Sequence, residues 1–151
     1  MKTMICVENL GYSLLNYQLI HSVNEVVERR LDEVSFVSME VTNRVVPVKT
    51  AVLAPSELGS FNNGLVLSTN IKHLPTILGC PGNVKVVQYL YDLEWMFQPM
   101  LFSTMWEAFN TPGLVVVARS PDYNKPFSKA FGRQIDAVLP EAKLEELWNL
   151  L

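Results

Sequence analysis

Asp92 and Glu94 close an apolar run, VVQYLYDLEWM, at residues 86–96, with Tyr91 and Trp95 set beside them. Two carboxylates at such a place can act as general base, accept hydrogen bonds from sugar hydroxyls, or carry the negative charge that favours a helix start. The flanking rings suit the apolar face of a sugar and suit a buried aromatic core equally. Arg119-Ser120 closes a second apolar run, LVVVA. A guanidinium there can hold a phosphate or carboxylate, or form an ion pair with Asp122 or Glu57. ENLGYSLLNY contributes Asn9, Gly11, Tyr12 and Asn16. It is a one-glycine turn into a helix, which either offers backbone N–H groups to an anion or needs Gly11 for its backbone angles. It does not match G-x-G-x-x-G. His21 and His73 each stand alone in sequence and read as ordinary surface or core histidines. Ser-His-Asp order, a G-x-S-x-G elbow and a P-loop are all missing from the sequence.

The elements that must position these groups appear as apolar runs. Residues 4–7, 34–39, 50–53, 65–67, 84–91, 114–118 and 135–139 read as strands. The run 84–91 is the most continuous, as expected in the middle of a parallel sheet. Between the first two strands, Leu15, Leu19, Val23, Val26, Val27 and Leu31 recur every three or four residues, with Ser13 as N-cap. Residues 71–78 read as a short helix capped by Asn70, with Pro75 early in it. Helices are also expected at 102–110, at 122–131 up to Gly132, and at 144–151, while 42–49 reads as an irregular link.

This alternation predicts an α/β fold. It is a three-layer Rossmann-like parallel sheet with helices on both faces, in one domain spanning 1–151. The first two strands should pair in parallel across the helix. In such sheets ligands bind beyond the carboxyl ends of the strands, where the strand order reverses. That rule gathers residues 8–12, 55–57, 68–70, 91–95 and 119–123 on one edge. Glu57 joins the candidate ligand-binding residues on this ground.

The chain has 151 residues, 49% apolar and 18% charged, a globular composition. Its net charge of −3 leaves no basic excess to neutralise phosphates, so nucleic acid is not an expected partner. Cys6 and Cys80 lack metal-ligand spacing and read as reduced structural thiols. No metal and no cofactor is expected. The opening residues do not form a signal peptide and no run reaches the roughly 20 apolar residues of a membrane span, which predicts a cytoplasmic protein without a membrane partner. The run MFQPMLF, 96–102, is apolar for a loop. It suits a dimer contact, a lid or core packing.

GYSLLNYQL, YLYDLEW and VVVARSPDYNKPFSKAFGRQIDAVLPE together resemble, in order and spacing over nearly the whole chain, the N-terminal domain of GT-B-type glycosyltransferases. The similarity is greatest to the short glycosyltransferase-like proteins of large tailed phages. The resemblance implies a Rossmann-like sheet and a loop near Gly11 that approaches the phosphates of a sugar donor. It implies that Tyr91-Asp92 and Arg119-Ser120 face the reaction cleft, with Asp92 and Glu94 as the catalytic candidates. Full enzymes of this type hold the donor nucleotide mainly in a second domain. Many retaining members have a histidine where this chain has Tyr91, and paired glycines where it has Gly11 alone. One domain supplies one wall of a cleft. Sugar transfer is therefore expected only in a homodimer or with a partner protein. The alternative is a non-catalytic phage-type interaction or structural module that keeps the fold and binds a nucleotide sugar, a glycan or a protein.

Overall fold

The structure is a computed structural model describing residues 2–29 and 33–151. Leu31, the last member of the predicted helical stripe, lies outside the described residues. The elements are β1 (Thr3–Val7), α1 (Leu14–Glu28), β2 (Val34–Ser38), β3 (Ala51–Leu53), β4 (Asn63–Ser68), α2 (Leu74–Leu78), β5 (Asn83–Leu90), α3 (Phe102–Phe109), β6 (Val115–Ala118), α4 (Asn124–Phe131), β7 (Ala137–Val138) and α5 (Leu144–Trp148).

The seven strands form one sheet in the order β3-β2-β1-β4-β5-β6-β7, and every neighbouring pair is parallel. The chain runs outward from β1 to β3, returns to the far side of β1 as β4, and then runs outward to β7. The order therefore reverses between β1 and β4. Parallel strands need helical crossovers, and these cover both faces. On one face Leu19, Ile20, Val23 and Val26 of α1, with Leu144 and Leu147 of α5, pack over Ile5, Phe36, Leu65 and Tyr89. On the other face α2, α3 and α4 cover Cys6, Val66, Leu90 and Val116. Each fully buried aliphatic side chain stabilises the fold by about 1.5–3 kcal/mol, which is why the two-sided strands read as continuous apolar runs.

Local differences from the sequence reading have simple causes. The predicted helix 71–78 opens as a 3-10 turn, Ile71–His73, because Asn70 accepts the Lys72 N–H and tightens the first turn. Pro121–Tyr123 is likewise a 3-10 turn ahead of α4. Pro126 falls at the third position of α4, within the first turn, where its missing N–H costs no helical bond. Gly132 ends that helix in the left-handed region at φ 71. The last predicted strand contracts to two residues, and the last helix stops at Trp148.

Candidate functional site

The carboxyl edge at the β1/β4 switch is built by strand alternation. Cys6 and Ser68 are register partners on the face covered by α2. Two residues further along each strand come Glu8 and Asn70, on the same face. Asn70 Nδ2 donates to Glu8 Oε2 at 3.0 Å. Asn70 also starts the 3-10 turn that carries His73 back over the edge, and His73 Nε2 meets the same Glu8 oxygen at 2.6 Å. One side chain therefore both fixes Glu8 and begins the turn that delivers the histidine.

Glu94 arrives from the next crossover, at the start of a 3-10 turn following β5. Its Oε2 accepts the Ile71 N–H at 3.4 Å, so it touches the turn that bears His73. Burial pushes its carboxyl above the usual range; the Ile71 hydrogen bond opposes this, and the charges of Asp92 and Glu8 reinforce it. Asp92 is exposed, and its Oδ1 accepts the Leu93 N–H at 2.8 Å, a local cap that leaves the other oxygen toward solvent.

Arg119 begins just past β6, with its N–H bonded to the Leu90 carbonyl at 3.0 Å. Its guanidinium lies 4.2 Å from the centre of the Tyr91 ring and donates to the Tyr123 hydroxyl at 2.9 Å. That hydroxyl donates in turn to the Tyr91 carbonyl at 3.2 Å. The ion pairs anticipated with Asp122 or Glu57 are not formed among the described residues; an aromatic ring and a phenol hold the guanidinium instead. Ser120 serves as a cap, accepting the Asp122 N–H at 3.2 Å.

The loop after β1 is braced internally. Asn9 Oδ1 accepts the Gly11 N–H at 3.0 Å, and Asn16 Nδ2 donates to the Gly11 carbonyl at 2.9 Å. Ser13 caps α1 by accepting the Asn16 N–H. Gly11 is outside the left-handed region, so its backbone angles do not require glycine, and the space around it is tight. A Cβ there would lie 3.1 Å from Asn9 Oδ1 and 3.3 Å from the Thr42 hydroxyl. Tyr12, beside it, is 83% exposed.

Two predicted residues stand apart from this cluster. Trp95 is only 4% exposed, and its ring packs edge-on against Phe109, Phe127 and Phe131, with centroids 5.4–6.4 Å away. It presents no open face to a sugar. Glu57 lies in the turn after edge strand β3, four strand spacings from β5, roughly 19 Å at the usual separation. Conversely, Glu8, Asn70 and His73 form the best-defined side-chain cluster on the edge, although His73 looked isolated in sequence. Its partner is 65 residues away. The available signal was Glu8 itself, two residues past Cys6 on a strand whose next neighbour had to be found by topology.

Among the described residues no group of three or more His, Cys, Asp or Glu is placed to hold a metal ion, and no helix is long and apolar enough to cross a membrane. No family model, curated protein or solved structure matches this chain.

Proposed function

We propose that this chain is a glycosyltransferase-like Rossmann-type domain that binds a sugar or nucleotide sugar at the carboxyl edge of its sheet. Transfer takes place only when a second chain supplies the other wall of the cleft. The observation that carries this reading is the Glu8–Asn70–His73 cluster at the β1/β4 switch, with Glu94 hydrogen-bonded to the same turn. Open parallel sheets bind ligands at that point. Carboxylates and an amide there suit hydroxyl groups, and a histidine oriented by a carboxylate suits proton transfer. Arg119, cradled by Tyr91 and Tyr123, suits an anionic phosphate beside them. The sequence resemblance described above points to the same chemistry. Two free thiols fit a reducing compartment, in keeping with action in the cytoplasm, or in the host cytoplasm for a phage-borne chain.

The test is a thermal-shift screen with UDP- and GDP-sugars. One of them is expected to raise the Tm of the wild type, and His73→Ala and Glu94→Gln are expected to reduce that shift. Asp92→Asn keeps an acceptor for the Leu93 N–H and is expected to abolish turnover without unfolding the chain. Absence of a shift and of hydrolysis with every nucleotide sugar would remove the reading.

One observation favours the second reading, an interaction module. Met96, Phe97, Met100, Phe102 and Trp106 form an exposed apolar surface, with Phe97 at 79% and Met100 at 92% exposure. In that reading a second copy or a partner protein covers the segment 96–106.

A further inference from the structure

The tips of β5 and β6 present a guanidinium that is already held in place. Arg119 lies 4.2 Å from the centre of the Tyr91 ring, and its Nη2 donates to the Tyr123 hydroxyl at 2.9 Å. Tyr123 is itself tied to the Tyr91 carbonyl at 3.2 Å, so the support is fixed to the end of β5. All three residues are half-buried, and no carboxylate among the described residues pairs with Arg119. An arginine stacked on a ring and oriented by a phenol has lost much of its side-chain freedom before any ligand arrives. An incoming anion therefore does not bear that entropy cost.

The surroundings select the kind of anion. Phosphate sites gather several backbone N–H groups at a turn or helix start. Here the Arg119 N–H is bonded to the Leu90 carbonyl, the Asp122 N–H to Ser120 Oγ, and the Tyr123 N–H to the Ser120 carbonyl. Pro121 has no N–H, which leaves at most that of Ser120. The local charge favours the same choice. Within residues 91–95 and 119–123 Arg119 is the one cation, and Asp92, Glu94 and Asp122 are carboxylates. A phosphate monoester, with about −1.5 to −2 charges at neutral pH, is poorly matched to a single guanidinium in that company. A carboxylate carries one charge, and its paired oxygens match the planar guanidinium fork.

On the neighbouring strand end Asp92 gives one oxygen to the Leu93 N–H and turns the other to solvent. Adjacent strands lie about 4.8 Å apart. An acceptor for hydroxyls and a fork for an anion thus stand side by side. We infer that this pair takes an acidic sugar, a hexuronate, with its carboxylate on Arg119 and its ring hydroxyls on Asp92. A hexuronate carries these two groups on opposite sides of one ring, which suits the two neighbouring strand ends. Tyr123 is a positioning residue that acts through Arg119. The inference rests on the sugar reading above and names the class of sugar.

Ligand-detected NMR titration of the whole chain tests it, with the methyl glycosides of glucuronate, galacturonate and mannuronate, the methyl ester of each, and the matching hexose 6-phosphates. At least one uronate is expected to bind the wild type about tenfold more tightly than its own ester, the effect of one charge-assisted hydrogen bond. That ratio is expected to fall to about one or below in Arg119→Ala, with the affinity for the ester unchanged. Arg119→Lys, which keeps the charge without the fork, and Tyr123→Phe are expected to give intermediate ratios. Melting curves verify folding; if Arg119→Ala fails to fold, the other two variants decide. Equal binding of acid and ester, or a ratio that survives all the folded variants, overturns the inference. So does a hexose 6-phosphate that binds more tightly than every uronate. If no uronate binds while a nucleotide sugar still raises the Tm, the inference falls and the edge reading stands. Binding of none of these ligands removes both.

Discussion

Glu94 has its acidity set by position rather than by type. Burial is the main cause of its raised pKa, so the folded state binds its proton more tightly than the unfolded state does. The consequence for stability has the opposite sign from that of a salt-bridged carboxylate. The penalty is absent while Glu94 is protonated in both states, below the ordinary value near 4.5, and grows as pH rises through the folded pKa. Glu94→Gln keeps an acceptor for the Ile71 N–H and removes the charge. Its Tm is expected to exceed that of the wild type at about pH 7 and to converge with it at about pH 4, as read by paired melts. A wild type more stable than the variant at neutral pH would mean that the charge is favourably solvated. The cysteines differ in the same physical way. Burial pushes the Cys6 thiol up to about 12, and raises half-buried Cys80 as well. Iodoacetamide at neutral pH is expected to modify Cys80 first and Cys6 only on unfolding, with peptide mapping as the readout. Trp95 shows how far residue-scale reading reaches. Its neighbours Tyr91, Asp92 and Glu94 were compatible with a sugar platform, and only the arrival of Phe127 and Phe131 from a later helix places it in the core.

At the scale of elements, the apolar runs were sufficient. Each predicted strand is present within a few residues: the central ones are buried on both faces and must be apolar throughout, while the edge strands β3 and β7 are only partly buried and are short. The Ser13 and Asn70 caps were also legible, since their chemistry is local. The 3-10 turns were not, because three-residue turns lack the 3.6 period that reveals a helix. His73 was missed for a different reason: its partner Glu8 lies 65 residues away, beyond a different strand. The aromatic packing between α3, α4 and the turn after β5 gives a direct test. Phe127 is fully buried among Trp95, Phe109 and Phe131, so Phe127→Ala is expected to lower stability by about 3–5 kcal/mol, measured by denaturant unfolding. Gly82 is expected to be intolerant as well. It adopts φ 88, and a Cβ there would run into the Asn62 carbonyl; Gly82→Ala should cost more than about 1 kcal/mol in the same assay.

For the whole molecule, the exposed surface of Met96, Phe97, Met100, Phe102 and Trp106 sits on the crossover from β5 to β6, next to the edge that carries Glu94. In a homodimer formed through it, Met100→Glu is expected to shift the light-scattering mass from two chains to one, while the Tm of the monomer changes little at so exposed a position. A strict monomer at high protein concentration would instead assign the surface to a different partner or to a lid. The parallel sheet and the pairing of its first two strands followed from alternation and the crossover rule, whereas the full strand order and the pairing of charges across the edge depended on distances that no periodicity encodes.

The central place of β1 carries a consequence for synthesis. It is made well before β4, yet its register partner on one side spans Leu65–Ser68. A nascent chain that has not yet exposed β4 holds β1 with a bare hydrogen-bonding margin, flanked on one side alone by β2. Vectorial folding must wait, and until β4 emerges the chain offers that margin to any extended peptide within reach.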